Sequence, residues 1–145
     1  MISQTVEYAL RAVVCLAGAD EGRLTTPQIA EATQVPGGYL SKVLQALGRA
    51  RLVKSQRGLG GGFVLARRPD QISLLEVVNA VDPFQRIACC PINHPEHEHE
   101  LCSLHRRLDA ALEAVEKAFA ETTLSELLAE GNPLPLPESI RASLK

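Results

Sequence analysis

Tryptophan is absent from this sequence, and aromatic residues of every kind make up only 3% of it. Hydrophobic residues still reach 46%. Ala and Leu carry that hydrophobicity, which favours helices over sheet. No apolar stretch approaches the ~20 residues that a membrane-spanning helix needs. The opening MISQTVEYAL has neither the basic region nor the cleavage site of a secretory leader. The expectation is a soluble, cytoplasmic protein. Its four cysteines are then reduced, and act as ligands or core residues rather than as disulfides. Internal repeats are lacking too, and 145 residues make one domain, or one domain with an extension.

The net charge of −2 argues against a nucleic-acid partner until it is divided along the chain. Residues 1–80 hold nine Lys/Arg and six Asp/Glu, whereas residues 81–145 hold six and eleven. Between positions 40 and 70, Lys42, Arg49, Arg51, Lys54, Arg57, Arg67 and Arg68 face a single acid, Asp70. A basic patch on an otherwise acidic chain is the footprint of a nucleic-acid contact. A solvated basic face would give the same count.

Val6, Ala9, Leu10, Val13, Val14 and Ala17 recur at helical spacing and predict a helix from about Thr5 to Ala17, stopped by Gly18. TTPQIAEAT predicts a second helix, with Thr26 as N-cap and Pro27 in the first helical position. QVPGG then breaks the chain. YLSKVLQALGRA makes a third helix with Leu40, Val43, Leu44 and Leu47 on one face and Tyr39, Ser41, Lys42 and Gln45 largely off it. Two helices across a short glycine-containing turn form a helix-turn-helix.

RLVKSQ and GFVLARRP follow, joined by the glycines of RGLGGG, in the pattern of a β-hairpin. Ser73 and Glu76 stand in capping-box spacing before a helix through LLEVVNAV that ends at Pro83. Residues 84–101 show neither helical nor strand period and read as an ordered loop or a site. A long amphipathic helix from about Leu101 to Ala120 carries Leu101, Leu104, Leu108, Leu112, Val115 and Phe119 on one stripe. That stripe either packs within the monomer or meets a partner helix. The helices before it already close a core, which favours a homodimer seam. Thr123 and Glu126 cap a short helix, and the tail GNPLPLPESIRASLK is expected to be extended or disordered. The division expected is therefore a DNA-binding domain at 1–83, a sensor loop at 84–101, dimerisation helices at 102–130 and a tail at 131–145.

The glycines of RGLGGG suit either a nucleotide phosphate or the tip of a wing. A nucleotide loop opens a helix and supplies a Lys and a Ser/Thr, but here the strand pattern FVLARRP follows. The order helix-turn-helix, strand, glycine tip, strand is that of a mainly α winged helix. Tyr39, Ser41, Lys42 and Gln45 are then the candidates for the major groove. Thr26, Gln28, Lys54, Arg57, Gly58, Gly60 and Gly61 are candidates for the flanking backbone. Glycine there lets the chain approach phosphates, and Arg57 reaches a phosphate or the minor groove.

Cys89, Cys90, His94, His97, His99, Cys102 and His105 crowd CCPINHPEHEHELCSLH. Thiolates and imidazoles at this density are metal-ligand chemistry, and Cys102 and His105 share one face of a starting helix. A solvated His/Glu loop beside a packed cysteine is the plainer alternative. Cys15 lies on the apolar face of the first helix, as a core residue does. No nucleophile–base pair is visible, so an enzyme is not expected.

The stretch YLSKVLQALGRARLVKSQRGLGGGFVLARRPDQISLLEVVNAV, with TVEYALRAVVCLA before it and TTLSELL after it, resembles the signature of the Rrf-two family of bacterial winged-helix transcription regulators. The resemblance covers roughly residues 1 to 130. It implies a homodimer with two wings and crossed long helices, bound to a palindromic operator in double-stranded DNA. Iron–sulfur sensors of the family carry three cysteines here, with five residues between neighbours. Cys90 and Cys102 match the first and third, and His105 matches a histidine that completes the site in some members. The middle position holds Glu96, and that carboxylate, or nearby His94 or His97, could stand in for the missing cysteine. Other members use an acid on the first helix of the other subunit, where this chain has Glu7. Three inputs stay open: an iron–sulfur cluster on Cys90 and Cys102 with His105 and Glu7; a tetrahedral zinc-like site; or no metal, with thiol oxidation or a partner protein as the signal. A protein-interaction adaptor that binds no DNA is the alternative from another class, and the basic 40–70 stretch weighs against it.

Overall fold

A computed structural model describes residues 2–20, 22–58, 60–131 and 134–144. Leu59 in the glycine tip, and Asn132, Pro133 and Lys145 in the tail, lie outside the described residues. Helix α1, Gln4–Gly18, begins where the Ser3 hydroxyl accepts the Val6 N–H at 3.3 Å. It is the central strut, with later helices packed around it. Ala9 and Ala12, fully buried, let neighbouring helices approach its axis closely, while Val6, Val13 and Leu16 fill the space beside them.

Helix α2, Thr26–Thr33, starts one residue earlier than expected from Thr26 and Pro27. The N-cap is Thr25, not Thr26: its hydroxyl accepts the Gln28 N–H at 3.3 Å, and Gln28 Oε1 accepts the Thr25 N–H at 2.9 Å. The cause is non-local. Leu24 is paired to Phe63 by bonds of 3.2 and 2.7 Å, which holds the chain extended up to Thr25. Pro27 falls on the next helical position, where its missing N–H is still harmless. The two glycines of QVPGG are not part of a break but the first turn of α3, Gly37–Arg49. The break is confined to Gln34–Pro36, with Gln34 left-handed at φ 59°.

Strands β1, Val53–Gln56, and β2, Gly62–Leu65, pair antiparallel with Val53 opposite Leu65 and Gln56 opposite Gly62. Leu24 adds one rung beside Phe63. The hairpin is thus stitched to the residues that open α2, and the wing and the reading head are set against each other.

Helix α4, Leu74–Val81, has the expected capping box on Ser73 and Glu76, and α6, Leu124–Ala129, has the one on Thr123 and Glu126. The two caps lie side by side, joined by Leu74 N–H to Thr122 O at 2.9 Å and Leu124 N–H to Ile72 O at 3.0 Å. Burial opposes the Glu76 charge, but the Arg67 guanidinium at 2.7 Å and the Ser73 cap outweigh it and hold the carboxyl below its ordinary value. Between them runs α5, Ser103–Glu121, which has no buried residue. The tail departs from expectation: Glu138–Ser143 forms a seventh helix, α7. Ile140 is 1% exposed within the core, and Leu136 and Leu144 pack against it. Ile140 from the helix, Leu136 from the extended lead-in and Leu144 at the C-cap together anchor the segment.

Cys15 is buried in the core, and burial pushes its thiol up to about 11. Cys89 is exposed. Iodoacetamide at neutral pH is therefore expected to label Cys89 in the native protein and Cys15 only after denaturation, as read by peptide mass spectrometry. Equal labelling rates in the native state would contradict the buried placement of Cys15. Among the described residues no helix is long and apolar enough to cross a membrane.

Candidate functional site

The split foreseen for α3 is the one it makes. Leu40, Val43, Leu44 and Leu47 are buried, while Tyr39, Ser41, Lys42 and Gln45 are exposed. Tyr39 is held edge-on against Tyr8 with ring centroids 5.9 Å apart, and the Ser41 hydroxyl donates to Gly37 O at 3.1 Å. Two open grooves show that α2, α3 and the wing share a side. One, of about 340 Å³, is lined by Thr26, Ser41, Gln45, Ser55 and Phe63 among others. The other, of about 580 Å³, lies between Thr25 and Thr26 and the wing residues Arg57, Gly58, Gly60 and Gly61. Gln28 lines neither groove; its amide serves the α2 cap and donates to Ser143 Oγ at 3.4 Å.

The glycine tip divides into two pairs. Gly58 and Gly60 turn the chain with open space around them. Gly61 and Gly62 build the wing itself. A Cβ on Gly61 would stand 2.6 Å from Gln56 O, and one on Gly62 2.6 Å from Leu24 O. Arg23 Nη1 donates to Gly60 O at 3.2 Å and ties the tip to the turn before α2. Gly62 and Arg23 were not among the residues singled out from sequence. Gly62 closes the same glycine run, but Arg23 acts across 37 positions and leaves no local pattern. Lys54 and Arg57 are exposed and form no ion pair among the described residues.

On the far side of the sequence, Cys90, Cys102 and His105 come together, with ligand atoms all within 4.8 Å of one another. Cys102 is the N-cap of α5 and His105 lies on its first turn. Cys90 Sγ is 3.8 Å from Cys102 Sγ, 3.6 Å from His105 Nδ1 and 3.6 Å from His97 Nδ1. The backbone N–H of Ile92, and then that of Cys102, hold the Cys90 thiol below its ordinary value against the effect of burial. The approach to Cys90 is clamped onto α5. Arg86 Nε and Nη2 each donate to Asp109 at 2.7 Å, the Ile87 N–H donates to the same carboxylate at 2.9 Å, and Phe84 meets Phe119 edge-on at 5.5 Å. Arg86 in turn brings the Asp109 carboxyl down to about 2.

The remaining candidates stand apart from this trio. Cys89 is exposed. Glu96 donates its backbone N–H to His94 Nδ1 at 3.3 Å. Glu7 accepts from Arg11 Nε at 2.9 Å on the surface of α1, and neither it nor His99 joins the cluster within one chain.

A reading head with a flanking wing and a separate thiol–imidazole cluster can be compared with known proteins. A profile of the Rrf2 family, described as an iron-dependent transcriptional regulator, matches residues 2–130. Among solved structures, T. potens IscR superposes with a TM-score of 0.75 at 23% identity, covering 91% of this chain and 88% of that one. CymR (YrzC), the global cysteine regulator of B. subtilis, superposes with a TM-score of 0.74 at 27% identity, over 91% and 98% of the two chains. CymR of Staphylococcus aureus gives 0.71 at 24% identity, over 90% and 98%. These are DNA-binding transcription regulators and not enzymes. With a match that runs from the first residues of α1 through α6, the chain belongs to the Rrf2 family of winged-helix transcription regulators.

Proposed function

We propose that the protein is a homodimeric regulator that grips a palindromic operator in double-stranded DNA, and that its grip is set by a metal held at Cys90, Cys102 and His105. The observation that carries the DNA reading is the shared side of α2, α3 and the wing, lined by polar groups and flanked by two exposed cations, Lys54 and Arg57, which form no ion pair among the described residues. Tyr39, Ser41, Lys42 and Gln45 face the bases and backbone of the major groove. Thr26, Lys54, Arg57, Gly58, Gly60 and Gly61 bear on flanking phosphates, as Gln28 does if it leaves Ser143. Two such heads on a two-fold axis read half-sites about 34 Å apart or a multiple of that.

Arg57→Ala is expected to weaken binding to all duplexes alike and to lower the slope of log affinity against log salt by about one. Fluorescence anisotropy across a salt series reads both. An unchanged slope with loss of a single operator would assign Arg57 to base reading instead.

The metal reading rests on the convergence of three donors in a family described as iron-dependent. The candidates for a fourth donor are Glu7 of the partner subunit in the dimer and His97, whose Nδ1 is 3.6 Å from Cys90 Sγ. Cys90 and His97 lie in the loop, and Cys102 and His105 on α5, so occupancy pins one to the other and sets how each head sits on the dimer. A coupling of ~1–3 kcal/mol changes operator affinity about five- to 150-fold. Metal-loaded and chelator-stripped protein should differ by that factor, and equal affinities would remove the metal as the input. The 3.8 Å between the two sulfurs supports one other input, a disulfide between Cys90 and Cys102. In that case hydrogen peroxide takes two electrons and two protons from the thiols, yields two waters, and alone changes the affinity of the stripped protein.

A further inference from the structure

We infer that the Cys/His segment holds one tetrahedral ion of the zinc class, with Cys90, Cys102, His105 and His97 as its four ligands, in place of an iron–sulfur cluster. The inference rests on the reading of this segment as the metal sensor. Bonds of about 2.3 Å to sulfur and about 2.0–2.1 Å to nitrogen, in tetrahedral array, set two sulfurs about 3.8 Å apart and a sulfur and a nitrogen about 3.6 Å apart. Three of the six edges have those lengths: 3.8 Å between the sulfurs, and 3.6 Å from Cys90 Sγ to each of His105 Nδ1 and His97 Nδ1. Within the trio the Cys102–His105 edge is short, at 3.0 Å, and an opening of ~0.5 Å on their shared helical turn corrects it. His97 reaches the cluster from the Cys90 side and lies outside the tight trio. Its short turn, Pro95–His97, must swing inward to close the fourth vertex.

A cluster fits these residues poorly. The iron–sulfur sensors that this segment resembles hold their cluster with three cysteines, completed in some members by a histidine, and most other clusters take four thiolates. Here two thiolates converge, and Glu96 stands at the middle cysteine's position outside the group.

The test is metal and sulfide analysis of the full chain purified anaerobically, followed by cobalt(II) titration of the chelator-stripped protein. The expected result is one zinc-class ion per chain without acid-labile sulfide, and a cobalt spectrum with tetrahedral d–d bands and thiolate charge transfer. His97→Ala should weaken cobalt binding about tenfold or more, at least what loss of an outer-sphere partner causes. Cys102→Ser should diminish the charge-transfer band, with circular dichroism showing that each variant is folded. Stoichiometric iron with sulfide, or octahedral cobalt, overturns the inference. A His97→Ala spectrum and affinity equal to the parent's overturn the role of His97. Operator affinity on the same preparations separates this inference from the proposed function: a tetrahedral ion that leaves affinity unmoved sinks metal control alone, and control by an iron–sulfide centre sinks the single-ion site alone.

Discussion

Glutamate at both Leu104 and Leu108 is expected to leave the protein monomeric and to weaken its hold on an operator by ~100-fold or more, the avidity lost when two linked heads become independent. Helix α5 is about 28 Å long from its 19 residues, and its two halves differ. The apolar stripe of the C-terminal half is half-buried at Leu112, Val115 and Phe119, and Phe119 meets Phe84. The stripe of the N-terminal half is bare, with Leu104 59% and Leu108 47% exposed. Each leucine gains about 1.5–3 kcal/mol when fully buried, and a two-fold axis doubles every such gain because the same patch serves both partners. For the same reason each introduced carboxylate meets the seam twice. Sedimentation velocity and anisotropy on one operator check the result. A double variant that stays dimeric and binds as before would mean that this stripe is not the seam. Cys102 and His105 lie one turn or less from Leu104 on the same helix, so under the proposed function a metal and the dimer seam would act on a common element.

The elements visible in the sequence were those written in local pattern. The stripes of α1 and α3, the turn before β2 and the two capping boxes on Ser73 and Thr123 depend on neighbours within four residues, and the structure has each of them. What escaped depended on distant partners. Thr25 replaces Thr26 as a cap because Leu24 is paired to Phe63, far along the chain. The tail folds into α7 because Ile140 finds a place in a core made by earlier helices, and proline-rich composition says nothing of that. The cluster was legible in part: residue type and density marked seven cysteines and histidines, and the family resemblance picked out Cys90, Cys102 and His105 from them. Their convergence relies on the Arg86–Asp109 clamp across 23 positions, for which no periodicity exists. His97 stood with Glu96 and His94 as a stand-in for the missing cysteine, and only its distance to Cys90 distinguishes it from His94.

Valine at Gly62 is expected to destabilise the fold by about 3 kcal/mol and to remove the wing's share of DNA binding. Gly62 has φ +144°, a region that side chains with a Cβ rarely adopt, and a strain there costs about 1–3 kcal/mol by itself. Space makes it worse. The added Cβ would lie 2.6 Å from Leu24 O, 2.8 Å from Leu24 C and 3.2 Å from Thr25 N. All three are backbone atoms, so no flexible side chain can give way. Relief requires β2 to part from Leu24, which breaks the bonds of 3.2 and 2.7 Å between Leu24 and Phe63 and loosens the extended lead into the Thr25 cap. The wing would then lose its fixed angle to α3, and Arg57 its place beside the groove. Gly58→Ala is the control. Its φ of +94° is strained, but nothing lies within 4 Å of the added carbon, so its loss should be about 1–2 kcal/mol with the wing still seated. Urea melts give the stabilities, and anisotropy on one operator at fixed salt gives the binding. If the Gly62 variant melts and binds like the parent, the wing is not held through Leu24, and the rigid coupling of wing to reading head is wrong.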